Sequence, residues 1–180
     1  ADSPLPPNMD VRGFSHALGE STIGFYASPA LAERLKGDFP ARLDGAPLLL
    51  PGVEASVRGP LLRWIEAASL RPRIVGEFDD SALMRAFAEA GAGIFPSASL
   101  VGEQLCRQGG LVHLGDAKGM TETYYAISVE RRIRHRGVAA VVEAARAVLQ
   151  APARDSGAAE RDAPAKKPRV GGQSSRSFRA

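Results

Sequence analysis

Seven residues of this chain combine polar chemistry with a backbone setting that could hold a small ligand: Ser28, Glu54, Ser56, Asp79, Asp80, Ser81 and Ser97. The densest group is Asp79-Asp80-Ser81, which stands between a short apolar run and a set of apolar residues at helical spacing. A helix start leaves backbone N–H groups without intrahelical partners and carries the positive end of the helix dipole, so a polar ligand can dock there. Two adjacent carboxylates oppose an anion at such a place and suit a cation or a polar effector. Simple N-capping accounts for the same three residues, and both readings stand at this level. Residues 51–56, PGVEAS, form a second strand-to-helix turn pointing the same way, with Glu54 and Ser56 in it. Ligands of α/β sheets gather beyond the carboxyl ends of strands; a solvated loop is the competing reading. Ser97, just after Pro96, and Ser28, just before Pro29, have the same standing.

The elements that must position these residues are legible in part. Residues 73–78 carry Ile74, Val75 and Phe78, the pattern of a largely buried strand. A helix follows with Leu83, Met84, Phe87 and Ala88 at helical spacing, and Gly91 and Gly93 stop it. Ile94 and Phe95 start a new strand that Pro96 ends. This strand-helix-strand unit predicts a parallel pair joined by a right-handed crossover. Upstream, residues 22–27 (TIGFYA) read as a strand, and Pro29 opens a short helix over residues 30–35. Leu48, Leu49 and Leu50 form a buried strand, and a helix beginning no later than Pro60 carries Leu61, Leu62, Ile65 and Ala68, with Trp64 at its edge. Downstream, Ser97 or Ser99 can cap a helix that Gly109-Gly110 ends. A brief strand over residues 111–114 and a longer one over 123–129 follow. The last helix starts near Gly137 and has Val138, Val141, Val142, Ala145, Val148 and Leu149 on one face. Strands alternating with helices predict an α/β sheet covered on both faces.

Composition narrows the function classes. With 44% hydrophobic and 24% charged residues, the chain has globular usage, and its net charge of +3 gives no global basic surface for nucleic acid. Most of the excess sits in residues 131–136 and in the last 30 residues, where a tail from residue 151 reads as disordered. Cys106 is the single cysteine, so no internal disulfide forms, and a small core residue on a helix is the favoured reading. A reducing cytoplasm is the simplest location, and no apolar run is long enough to cross a bilayer. His16, His113 and His135 are scattered, and no metal-ligand spacing, nucleophile elbow, P-loop or dinucleotide fingerprint is present. No catalytic residue, metal or cofactor is expected.

The runs LDGAPLLLPG, RGPLLRWIEAASLRPRIVGEF and FDDSALMRAFAEAGAGIFPS, in that order, resemble the effector-binding domain of LysR-type transcriptional regulators. YYAISVERRIRH, residues 124–135, is similar to the branch that activates sodium/proton antiporters. The resemblance covers residues 2–149 and implies a two-lobed, periplasmic-binding-protein-like (type 2) α/β fold. In it, residues 22–27 and 123–129 are the strands crossing between lobes. Residues 28–122 are the second lobe, and residues 1–27 plus 123–150 a first lobe that is N-terminally truncated. The turn at Asp79-Asp80-Ser81 then faces an interlobe cleft, with sodium or lithium as candidate effector. The resemblance also implies a homo-oligomer, and DNA contact only through an N-terminal helix-turn-helix domain that this stretch lacks. The competing readings are a stand-alone solute-binding protein with the same lobes and a small α/β enzyme.

Overall fold

The computed structural model describes residues 13–129 and 135–150. The start over residues 1–10, most of the basic run and the tail from residue 151 lie outside the described residues. Among these residues five strands and five helices alternate. They are β1 (Phe14–Ala27), α1 (Pro29–Arg34), β2 (Pro47–Pro51), α2 (Arg58–Ala67), β3 (Arg73–Phe78), α3 (Ser81–Glu89), β4 (Phe95–Ala98), α4 (Gly102–Gly109), β5 (Val112–Ser128) and α5 (Arg136–Gln150).

β2 and β3 pair in parallel, and β1 pairs antiparallel with both β4 and β5. A parallel bridge between Leu48 and Ile94 joins the two sets. In it the Leu49 N–H donates to the Ile94 carbonyl at 2.9 Å and the Ile94 N–H to the Pro47 carbonyl at 2.7 Å. The resulting surface runs β3-β2-β4-β1-β5. Every strand but β1 points the same way along it.

Alternation along the strands sends side chains to two cores, one on each face. Leu48, Leu50, Ile23 and Phe25 join Leu31, Leu61, Ile65 and Ile94 on the face covered by α1 and α2. Leu49, Tyr26 and Phe95 join Met84, Ala88, Leu105 and Leu111 on the face covered by α3 and α4. β2 is buried on both faces, which is why it reads as an unbroken apolar run. The α/β sheet covered on both sides is as the sequence predicts.

Several details differ. β3 does not pair with the strand after α3, because β2 lies between them and takes the Ile94 bridge. β3 is therefore an edge strand, and Ile74 and Val75 are exposed instead of buried. Pro96 does not end β4; it stands within the strand, opposite Phe25. Neither Ser97 nor Ser99 caps α4. A single 3₁₀ turn, Ser99–Val101, leads into that helix, and its start has no side-chain cap. The two strands expected after α4 are one strand of 17 residues, β5. Gly115 and Gly119 carry positive φ angles of 150° and 77° within it, so they bend the strand without breaking it. β1 likewise begins eight residues earlier than expected, and its whole length is zipped to β5. Along α5 only Val142 is buried; Val138, Val141 and Val148 are exposed.

Candidate functional site

The carboxyl ends of β2, β3 and β4 open on one edge of the sheet, the edge through which β1 enters and β5 leaves. Beyond β2 and β3 the two loops touch. The Gly52 N–H donates to the Phe78 carbonyl at 2.7 Å, and a Cβ on Gly52 would lie 1.8 Å from Asp79 Oδ1. Only glycine lets the Asp79 carboxylate lie on the β2 loop. Asp80 is the N-cap of α3: its Oδ1 accepts the Leu83 N–H at 2.8 Å. Ser81 is the first helical residue and is exposed, as are Asp79, Asp80 and Glu54. Arg58, the first residue of α2, braces this edge by donating to the Pro51 carbonyl at 2.6 Å and to Glu77 Oε2 at 2.8 Å. That hydrogen bond holds the Glu77 carboxyl below its usual range.

The cap makes a simple prediction. Asp80→Ala should cost about 1 kcal/mol while Ser81→Ala costs a few tenths at most, because only Asp80 satisfies a backbone donor. Chemical denaturation of the two variants checks it.

Ser56 and Ser97 lie on the same edge. The Ser56 hydroxyl donates to Glu122 Oε1 at 3.4 Å, and Ser97 is half-buried in β4 opposite Gly24. Ser28 is elsewhere. β1 runs against β4, so the end of β1 is at the amino edge of the parallel strands. There Ser28 is buried, its Oγ accepts the Leu31 N–H at 3.3 Å to cap α1, and it faces Gly91 at the end of α3. Six of the seven residues singled out from sequence thus lie along one edge of the sheet, and Ser28 lies at the other.

Two polar features have no signature in the sequence. The first is a network under α4, between β1, β5 and the turn after β4. The Ser99 hydroxyl donates to Asp116 Oδ1 at 2.6 Å, His113 Nε2 lies 3.1 Å from the same oxygen, and the His113 ring packs 5.2 Å from the ring of Tyr26. Tyr26 is only 1% exposed, and its hydroxyl would overlap a Cβ on Gly24 or on Gly102. Burial, and next the Asp116 carboxylate, push the Tyr26 phenol up to about 12, against the pull of a hydrogen bond with Ser99. The second is Glu122, whose two oxygens accept from Ser56 and from the Tyr124 hydroxyl, the latter at 2.7 Å. It borders a groove of about 180 Å³. A larger pocket of about 390 Å³, walled by Phe39 and Trp64, contains none of the seven residues. Among the described residues no group of three or more His, Cys, Asp or Glu side chains could hold a metal ion.

The strand ends and helix starts of this α/β sheet gather beside two long paired strands, at the edge where ligands of such sheets collect. Residues 5–150 match the family model of the LysR substrate binding domain, and the chain belongs to that family. Among individual proteins, it is 31% identical over 153 residues to the transcriptional activator protein NhaR of Escherichia coli (strain K12), covering 85% of this chain and 50% of that one. NhaR of Shigella flexneri gives the same values. The chain spans about half the length of the curated relatives it matches. In solved structures, the bromide-bound regulatory domain of HypT from Salmonella typhimurium superposes with a TM-score of 0.59 at 18% identity, covering 82% of this chain and 71% of that one. The effector domain of AmpR from Pseudomonas aeruginosa gives 0.57 at 19%, covering 77% and 66%. These likenesses establish the periplasmic-binding-protein-like type 2 fold. The family is one of regulators and not of enzymes.

Proposed function

We propose that this chain is the effector-sensing domain of a LysR-type DNA-binding transcriptional regulator that activates a sodium/proton antiporter in response to cations. The observation that supports this reading is the Gly52–Asp79 contact, which brings the loop after β3 against the loop after β2 that also carries Glu54. Exposed carboxylates and hydroxyls in that setting suit a cation or a polar effector, and the NhaR resemblance favours the cation.

On this reading residues 28–122 form the second lobe, and residues 1–27 with 123–150 belong to the first. The cleft between them is lined by Asp79, Asp80, Ser81, Glu54, Ser56 and Ser97. Effector binding shifts the population between lobe arrangements, and its differential affinity for the two sets the size of the shift. The domain acts in the cytoplasm as part of a homo-oligomer, and DNA contact belongs to a separate helix-turn-helix domain. No helix among the described residues is long and apolar enough to cross a membrane.

Isothermal calorimetry of the full-length protein tests the reading. Sodium or lithium chloride should give a saturable heat that potassium chloride at matched ionic strength does not. Identical traces for all three salts would refute cation sensing.

A further inference from the structure

Glu122 lies in β5 where that strand passes the mouth of the sheet, and it is half-buried. Its two hydrogen-bond donors, Ser56 and Tyr124, are neutral hydroxyls. Among the described residues four ion pairs form, and none includes Glu122. A carboxylate taken partly out of water with no positive partner lacks the charge that would offset its desolvation. The groove beside it is bounded by Ser56, Pro60, Met120, Thr121, Thr123 and Tyr125, so among the described residues its lining offers hydroxyl groups and no ammonium or guanidinium group. At about 180 Å³ it holds a small ion together with several waters.

We propose that this groove binds a small monovalent cation, with the Glu122 carboxylate as its charged ligand and the Ser56 hydroxyl as a neutral one. Hard cations take oxygen ligands, and divalent ions held by protein alone use several carboxylates. A single carboxylate among neutral oxygens matches one positive charge. Asp79 and Asp80 are weaker candidates for the same ion: both are exposed, so water and salt screen them, and Asp80 already serves the α3 cap. The ion would join β5 to the start of α2, because Glu122 belongs to the first and Ser56 to the loop leading into the second. This inference rests on the cation-sensing reading and moves its centre to a residue that reading did not include.

The test is thermal unfolding of the full-length protein with increasing sodium, lithium or potassium chloride, ionic strength being held constant with choline chloride. The wild type should melt higher with sodium or lithium than in choline alone, since a ligand that binds only the folded state stabilises it by mass action. Glu122→Gln removes the charge but keeps the shape, with one acceptor oxygen for one hydroxyl and an amide N–H that the other hydroxyl oxygen can accept. It should weaken the apparent affinity at least tenfold while melting within a few degrees of the wild type in choline. Ser56→Ala should weaken it severalfold, and it serves as the readout if Glu122→Gln unfolds. A wild-type cation response retained by both variants overturns the Glu122 site and leaves cation sensing standing; loss in Asp79→Asn would then locate the ion at the loop contact. A wild type indifferent to cation identity overturns both.

Discussion

Replacing Phe25 with alanine should lower stability by about 3–5 kcal/mol and the melting temperature by roughly 10 °C, the largest effect expected of any single truncation here. Phe25 is fully buried near the end of β1, with β4 on one side and β5 on the other. Its ring packs 5.6 Å from that of Phe39 and 5.4 Å from that of Trp64, which themselves stack at 6.0 Å. Phe39 reaches this position because Gly115 has no Cβ; one placed there would lie 2.4 Å from the Phe39 ring. Truncation at Phe25 therefore empties the common contact of three aromatic rings and leaves a void that α2 and the Phe39 loop cannot close. Calorimetric melting of Phe25→Ala beside Phe25→Leu is the measurement. Phe25→Leu, which refills much of the volume, should recover most of the loss; a shift below about 1 kcal/mol for both would remove the stack from the core.

The second large effect is alkaline. Burial and Asp116 raise the Tyr26 phenol from 10.0 to about 12, so the folded chain holds this proton more tightly than the unfolded chain does. The unfolded state ionises first. The contribution is thus complete below pH 10 and is lost as pH rises from there through about 12. Two pH units correspond to about 3 kcal/mol at 1.36 kcal/mol per unit. Urea midpoints of the wild type and Tyr26→Phe between pH 8 and 12 isolate the effect, because other titrating groups cancel in the difference. The variant should start about 1 kcal/mol lower, having lost the bond to Ser99, and should overtake the wild type at the alkaline end. Parallel curves would mean that Tyr26 ionises as freely folded as unfolded.

What the sequence discloses here is mostly local. β2 reads correctly because burial on both faces leaves three consecutive leucines. α3 reads correctly because its cap, Asp80, and its stop, Gly91 at φ 83°, are neighbours of the helix itself. Strand partners are a different matter. Nothing in residues 73–78 says that β2 occupies the position next to them, so an edge strand looks like an interior one. Pro96 and Gly115 look like breaks because a local reading cannot tell which backbone groups need a donor. The candidate site divides the same way. Asp79, Asp80, Ser81, Glu54, Ser56 and Ser97 are visible as loop residues after strands. The Tyr26–Ser99–Asp116 network and the Ser56–Glu122 contact join positions 66 or more residues apart in most pairings, and no periodicity marks them. Ser28 shares the chemistry of the others but sits after the one strand that runs backwards.

The pairing of β1 with β5 along nearly their whole length has a mechanical consequence. A two-stranded ribbon resists sliding, because moving one strand past the other breaks every rung of the ladder together. It yields readily to bending and twisting, above all where the rungs are irregular. Those places are the three register shifts, between Ala17 and Gly19, between Thr22 and Gly24, and between Phe25 and Tyr26. At the first, Leu149 of α5 presses so closely that a Cβ on Gly19 would lie 2.7 Å from its own, and Arg146 donates to the Ala17 carbonyl at 3.3 Å. The ribbon behaves as a torsion bar, and α5 is clamped on one of its three soft points.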